Sequence, residues 1–169
     1  MVKKGVCNFG GGLVYSYLMK IRTAKISDAA FIYALINNYA EQDLMLFRSM
    51  TDIYENLRSF LLAETGGKVV GCCSLQIIWS DLAEIKSLAV DESHQDKGVG
   101  KMLVQQSVKE ARKLGIKKVF ALTLVPAFFK KLGFKTVEKE KLPMKVWTDC
   151  ARCTKQDNCD EIAVIKVLK

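Results

Sequence analysis

The sequence has little proline, 2 residues in 169, and no long uninterrupted apolar run. With so few prolines and with aliphatic and aromatic residues spread along its length, the chain leaves no room for a long disordered linker or low-complexity segment. The longest apolar stretches are broken by Gly, Ser or a charge well before the roughly 18–20 residues of a membrane span. A soluble protein with no membrane partner is therefore expected. No repeat of fixed period is visible. Residues 1–18 carry lysines and the run Gly10-Gly11-Gly12, but lack an apolar segment followed by a small-residue cleavage site, so they do not read as a signal peptide. A second methionine, Met19, directly precedes the first strand-like run. Residues 1–18 are expected to be a leader outside the fold, disordered or non-native, and residues 19–169 a single domain.

What the chain has in excess is positive charge: 26 Lys and Arg against 18 Asp and Glu, a formal net charge of +8. That balance suits nucleic acid, an anionic membrane or a small anionic ligand. The lysines are scattered over predicted helices and turns, without the interleaved aromatics on which single strands stack, so a nucleic-acid partner is not expected. A solvated basic surface and an anion-rich small ligand remain. Six cysteines without a secretion signal argue for reduced thiols and a cytoplasmic protein. Cys72 and Cys73 are neighbours within a predicted strand, where their side chains point to opposite faces and cannot easily bond each other.

Periodicity gives the order of elements. Lys20 to Ala24 reads as a strand. Ser27 stands where an N-cap belongs, and Phe31, Ile32, Leu35, Ile36 and Tyr39 follow at helical spacing. Ser49 or Thr51 can cap a second helix that turns Ile53, Leu57 and Phe60 inward. Leu61 to Glu64 and Lys68 to Trp79 read as strands joined by the hairpin turn Gly66-Gly67. Leu82 to Val90 reads as a central strand buried on both faces. Val99, Leu103, Val104, Val108, Ala111 and Leu114 define a helix that Gly115 stops. Lys118 to Thr123 is a strand, Ala127 to Leu132 a short helix, Phe134 to Glu138 a strand, and Glu161 to Leu168 the closing strand. This order, β, α, α, β, β, β, α, β, α, β, loop, β, calls for an α/β fold with a mixed sheet and helices on both faces.

The most informative stretch is the strand Glu84-Ile85-Lys86-Ser87-Leu88-Ala89-Val90 followed by Gln95-Asp96-Lys97-Gly98-Val99-Gly100-Lys101 at the mouth of a helix. A helix start offers unpaired N–H groups and the positive end of a macrodipole, and glycines let a ligand approach the backbone, so the arrangement suits a pyrophosphate. The spacing is neither Gly-x-Gly-x-x-Gly nor Gly-x-x-x-x-Gly-Lys-Ser/Thr, which weakens dinucleotide and nucleoside triphosphate readings. Coenzyme A remains.

These residues resemble the GNAT superfamily of N-acetyltransferases, whose Gln/Arg-x-x-Gly-x-Gly/Ala signature matches Gln95, Gly98 and Gly100. A second family-like element, Pro126-Ala127-Phe128-Phe129-Lys130-Lys131-Leu132-Gly133-Phe134, lies downstream. The resemblance covers nearly all of residues 20–168. Within the superfamily the chain is most similar to short, stand-alone versions of the acetyltransferase domain of N-acetylglutamate synthase, the first enzyme of arginine biosynthesis. Leu46-Phe47-Arg48-Ser49, Val69-Val70-Gly71-Cys72, Ile78-Trp79-Ser80-Asp81-Leu82-Ala83-Glu84-Ile85 and Val119-Phe120-Ala121-Leu122-Thr123 carry this closer similarity. The amino-acid kinase domain of many such synthases is absent from the sequence, so arginine feedback through it is not expected.

The resemblance implies a mostly antiparallel central sheet with a splayed strand pair, acetyl-CoA as cosubstrate and a small anionic amino acid as acceptor. Backbone groups at Leu88 and Val90 would pair with the pantetheine arm, with Ala89 between them also at the cofactor, and those from Gln95 through Asp96, Lys97, Gly98, Val99 and Gly100 to Lys101 would hold the pyrophosphate. Lys97 and Lys101 could add charge or be ordinary solvated lysines. Phe128 and Phe129 would flank the cofactor. Acetylation of an amine needs a base; Glu84 is the candidate, with a salt bridge to Lys86 as its structural alternative. Many members protonate the leaving thiolate with a tyrosine four residues before the Gly of the Leu-Gly-Phe element, where this chain has Phe129. The resemblance points instead to Thr123, which could equally be a capping residue. For a glutamate acceptor, Arg48 offers the bidentate geometry that carboxylates favour, with Lys86 and Lys145 as weaker candidates. Cys150, Cys153 and Cys159 form a Cys-x-x-Cys-x-x-x-x-x-Cys pattern that could hold Zn(II) with a carboxylate or a partner's cysteine. The sole histidine, His94, is distant, so an ordered loop without metal is preferred. A homodimer is left open.

Overall fold

The computed structural model describes residues 19–143, 150, 151, 153 and 158–168. The expected leader, residues 1–18, lies outside them. The elements are β1 (Lys20–Thr23), α1 (Ala29–Ala40), α2 (Met50–Glu55), β2 (Phe60–Thr65), β3 (Lys68–Trp79), β4 (Leu82–Val90), α3 (Val99–Lys113), β5 (Lys118–Thr123), α4 (Pro126–Lys131), β6 (Lys135–Thr136) and β7 (Ile162–Val167). Seven strands form one sheet in the order β1-β2-β3-β4-β5-β7-β6. Neighbours run antiparallel except β4 and β5, which are parallel. The element order and the mixed sheet are those expected from the sequence.

The period-two alternation of the strands sorts side chains between two helical layers. Leu61, Ala63, Cys73, Ala83, Ile85 and Val119 turn to the face covered by Val99, Leu103, Val104 and Val108 of α3. Phe60, Leu62, Cys72 and Ala89 turn to the opposite face, against Ile32, Leu35 and Ile36 of α1 and Ile53 of α2. Cys72 and Cys73 thus point into different cores. Both are fully buried, which pushes the Cys73 thiol up to about 12 and holds Cys72 higher still, so neither reacts as a thiolate near neutral pH. Gly66 and Gly67 close the β2–β3 hairpin with φ of 57° and 77°, the left-handed values that a two-residue hairpin turn requires. No helix among the described residues is long and apolar enough to cross a membrane.

Three local readings change and one alternative, the cap of α2, is resolved. Ser27 does not cap α1, because a 3-10 turn over Ile26–Asp28 precedes the helix and Asp28 holds the cap position. The buried Asp28 carboxylate accepts the Lys25 N–H at 2.7 Å and two bonds from the Arg22 guanidinium at 2.7 and 2.9 Å. At α2 the cap is Ser49 rather than Thr51. Its hydroxyl accepts the Asp52 N–H, while the Asp52 carboxylate accepts the Ser49 N–H. That helix stops at Glu55, a 3-10 turn follows over Leu57–Ser59, and Phe60 opens β2 instead of facing inward from a helix. The expected strand over Phe134 to Glu138 shrinks to Lys135–Thr136, an edge strand two pairs long.

Asp28 joins β1 to the start of α1, and Arg22 also donates to Glu64 of β2 at 2.7 Å. The Arg22 guanidinium holds the Asp28 carboxyl below its ordinary value of 3.8. A carboxyl with a depressed folded-state pKa stabilises above its unfolded pKa, and that contribution disappears as pH falls through the folded value. Asp28→Asn should therefore lower stability by about 2 kcal/mol at pH 7. Thermal unfolding of both proteins should converge below roughly pH 4, whereas a gap that widens in acid would contradict this role for the pair.

Candidate active site

β4 and β5 pair only at Leu82–Lys118, Ala83–Val119 and Glu84–Phe120, and beyond Glu84 the two strands part. On its other side, β4 carries a bulge. Cys72 faces Ala89 and Ser74 faces Lys86, so Cys73 alone lies opposite both Ser87 and Leu88. Ser87 takes a left-handed φ of 53°, and the Cys72 thiol donates to its carbonyl at 3.6 Å. The bulge turns the second half of β4 away from the direction of its first three pairs. A cleft of about 600 Å³ opens there, lined by residues 84–90 of β4, Leu122 to Val125 at and just beyond the end of β5, and the start of α3.

One end of the cleft is the turn from Gln95 to the first residues of α3. Asp96 and Gly98 have φ of 56° and 81°, a left-handed pair that turns the chain into the helix. A Cβ on Gly98 would meet nothing within 4 Å, so the glycine serves the backbone angle rather than close packing. The first helical bond runs from Met102 N–H to Gly98 O, so the N–H groups of Val99, Gly100 and Lys101 lack intrahelical acceptors. Phe128 packs over Gly100, where an added Cβ would lie 3.5 Å from its ring. Phe129 is buried and makes edge contacts with Phe128 and Phe134 at 5.2 and 5.3 Å between ring centroids. Gln95, Asp96, Gly98, Val99, Gly100, Lys101, Phe128 and Phe129 all line the cleft, as do Leu88, Ala89 and Val90. Lys97 turns away and donates from Nζ to the Ser93 carbonyl at 2.7 Å.

Glu84 and Thr123 line the same cleft where the strands separate, and both are buried. Lys86 lies on the same face of β4 with Nζ 3.9 Å from Glu84 Oε2, an ion pair longer than a hydrogen bond. The Thr123 hydroxyl accepts the Val125 N–H at 3.0 Å, which caps the turn after β5 and leaves the hydroxyl's own hydrogen to be directed elsewhere. Arg48 enters from the loop between α1 and α2. Buried Asn37 clamps this loop by accepting the Arg48 N–H at 3.0 Å and donating to the Arg48 carbonyl at 2.9 Å. Lys145 lies outside the described residues.

Several lining residues carried no functional signal in the sequence. Tyr39 looked like one more apolar position of α1, and Glu161 like the polar start of a strand. Leu44, Met45 and Leu46 belong to the Arg48 loop. Cys150 and Glu161 approach the cleft from the C-terminal segment. Burial, then the charge of Glu161, then the neighbouring thiols and Glu84, raise the Cys150 pKa above its ordinary value, so it is a neutral thiol. Cys153 donates its N–H to the Cys150 carbonyl at 3.1 Å, and Cys159 is exposed with its sulfur 3.0 Å from Lys139 Nζ. Among the described residues, no group of three or more His, Cys, Asp or Glu side chains is arranged to hold a metal ion.

The chain is 43% identical over 148 residues to an uncharacterized N-acetyltransferase of Chlorobaculum tepidum, spanning 88% of this chain and 96% of that one. It is 35% identical to the amino-acid acetyltransferase of Mycobacterium tuberculosis, covering 78% of this chain and 77% of the relative. Among solved structures, N-acetylglutamate synthase from Neisseria gonorrhoeae, complexed with coenzyme A and N-acetyl-glutamate, superposes with a TM-score of 0.81 at 29% identity, over 90% of this chain and 35% of the synthase. A Mycobacterium tuberculosis protein in complex with CoA superposes with a TM-score of 0.78 at 30% identity, over 89% of this chain and 99% of that one. The model of the Acetyltransferase (GNAT) family matches residues 25–134. With a parted strand pair, a glycine turn at a helix start and these relatives all in agreement, the chain belongs to the GNAT acetyltransferase family.

Proposed function

We propose that this acetyl-CoA-dependent N-acetyltransferase acetylates the α-amino group of L-glutamate, the reaction that opens arginine biosynthesis. The observation that carries the acceptor is that Arg48 and Lys86 line the same cleft as Glu84 and Thr123. Two cations beside a base and a hydroxyl donor suit an acceptor with two carboxylates and one amine. Relatives named amino-acid acetyltransferase support the same choice.

The cleft fits the cosubstrate. Its backbone wall beyond Glu84 has no β5 partner, so an extended pantetheine arm can pair with Leu88 and Val90 as an added strand. The turn from Gln95 to Lys101 presents N–H groups and the positive end of α3 to the pyrophosphate. Phe128 and Phe129 form an apolar wall beside it. Acetyl-CoA supplies an acyl group activated as a thioester. Glu84 takes a proton from the acceptor ammonium, directly or through water. The nitrogen lone pair then forms the new bond to the acyl carbon as the carbon–sulfur bond breaks, and the second proton the nitrogen must lose passes to the departing sulfur, directly or through water. The Thr123 hydroxyl donates to the departing thiolate while the Val125 N–H holds its oxygen in place. Arg48 grips an acceptor carboxylate, with Lys86 as a second cation.

Glu161 favours a second reading, an acceptor other than glutamate. It places another carboxylate on the cleft wall, and a second carboxylate suits an amino acid whose side chain is neutral or cationic.

A thiol-release assay with acetyl-CoA and a panel of amino acids and amines separates these readings. Release with glutamate alone supports the first reading, and release with neutral or basic amino acids supports the second. Release with no acceptor despite CoA binding would instead indicate a non-catalytic sensor. Glu84→Gln should lower kcat by about 10²–10⁴-fold with little change in the KM for acetyl-CoA; near-normal turnover would exclude Glu84 as the base. Arg48→Ala should raise the glutamate KM by about tenfold or more while cofactor affinity is kept. Equal loss for glutamate and for an uncharged amine would remove Arg48 as a carboxylate ligand.

A further inference from the structure

The C-terminal turn of α1 reaches both parts of the cofactor site through one buried side chain. Tyr39 is 9% exposed, and its hydroxyl donates to the carbonyl of Val90, the last residue of β4. The same oxygen accepts a hydrogen bond of 2.7 Å from the Gln95 side-chain amide, at the first residue of the glycine turn. Burial raises the Tyr39 pKa, so the phenol stays protonated and able to donate across the neutral range. The Tyr39 carbonyl accepts the N–H groups of Gln42 and Leu44, which starts the loop leading to Arg48.

Two features of the turn call for such a tether. Asp96 is a non-glycine residue at a left-handed φ of 56°, a conformation that Asp adopts more readily than most residues but that still gains from contacts fixing the turn. β5 gives Val90 no ladder partner, because its pairing with β4 ends at Glu84; Asp91 donates its N–H to the Val70 carbonyl of β3, and the Tyr39 hydroxyl reaches the Val90 carbonyl. The phenol joins strand end to turn from the α1 side, beside the 3-10 turn over Glu92–His94 that links them along the chain.

We propose that Tyr39 is a positioning residue for the cofactor, fixing Val90 and Gln95 in one geometry so that affinity for coenzyme A depends on its hydroxyl. The inference rests on the reading of the cleft as a coenzyme A site. Tyr39 acts through its two neighbours and takes no part in the proton transfers assigned to Glu84 and Thr123. Removing the hydroxyl leaves the Val90 carbonyl and the Gln95 amide each without this partner, and the turn with no link to α1 through that side chain.

Calorimetric titration of coenzyme A into wild type, Tyr39→Phe, Gln95→Ala and the double variant tests it. Phenylalanine preserves the packing volume, and Gln95 is exposed, so the two variants reach the same link by independent routes. Each single variant should bind coenzyme A about tenfold more weakly. The double variant should be no weaker than the weaker single one, because both substitutions break the same link. In the thiol-release assay, Tyr39→Phe should raise the KM for acetyl-CoA and keep kcat at saturation. Wild-type affinity in Tyr39→Phe, losses that multiply in the double variant, or a fall in kcat at unchanged affinity would each overturn the proposal. Failure of the wild type itself to bind coenzyme A would overturn the cofactor reading beneath it.

Discussion

Parallel pairing between β4 and β5 lasts three residues, and the cleft follows from where it stops. Had the ladder continued past Glu84 and Phe120, the backbone of residues 85–90 would be consumed by the sheet and no edge would remain inside the molecule. The bulge opposite Cys73 bends the strand, and the turn over residues 91–98 leads from its end into α3. An internal strand edge is normally a liability, since its N–H and C=O groups ask for a partner. In the function proposed above, that demand is met by the pantetheine arm. The strand that parts also carries Glu84 and Lys86 at the point of separation, so the geometry that admits an extended ligand presents a carboxylate and a cation to its reactive end.

The surroundings of the gap fix its shape from several directions. From below, β5 delivers Thr123 into a turn that its own hydroxyl caps. From the α1 side, Asn37 clamps the backbone of Arg48 and Tyr39 reaches Val90 and Gln95. On the α3 side, Phe128 lies against Gly100 and Phe129 anchors α4 in the core. The Tyr39 and Phe128 contacts join elements distant in sequence, whereas Thr123 caps its own turn. The cleft is therefore a product of tertiary packing, although its phosphate turn is a local motif.

The sequence made the sheet and its helices legible because alternation and helical spacing record burial directly. β4 and β5 were read with the boundaries that the fold displays, and the Gly66-Gly67 turn was evident from backbone chemistry. Shorter features were less visible. Ser27 looked like a helix cap because no local rule reveals that Asp28, in the turn before α1, is held by Arg22 of β1. Phe60 fitted a helical face until the chain turned at Leu57 and gave it to β2. At the site, Gln95, Gly98 and Gly100 announce themselves by spacing and Glu84 by its place on the strand. Tyr39 and Glu161 do not, since their contributions depend on contacts that only the folded chain creates; for the Lys97 side chain the sequence leaves added charge and a solvated lysine open, and its ammonium lies on the Ser93 carbonyl.

The central claim is that the unpaired edge of β4 and the start of α3 take up coenzyme A as a strand and a phosphate cradle. Amide hydrogen exchange with and without coenzyme A tests it most directly. The account predicts slowed exchange at Leu88, Val90, Val99, Gly100 and Lys101 on binding, with β1 and β2 unchanged. Protection confined to other elements, or none at the β4 edge despite saturation, would contradict it.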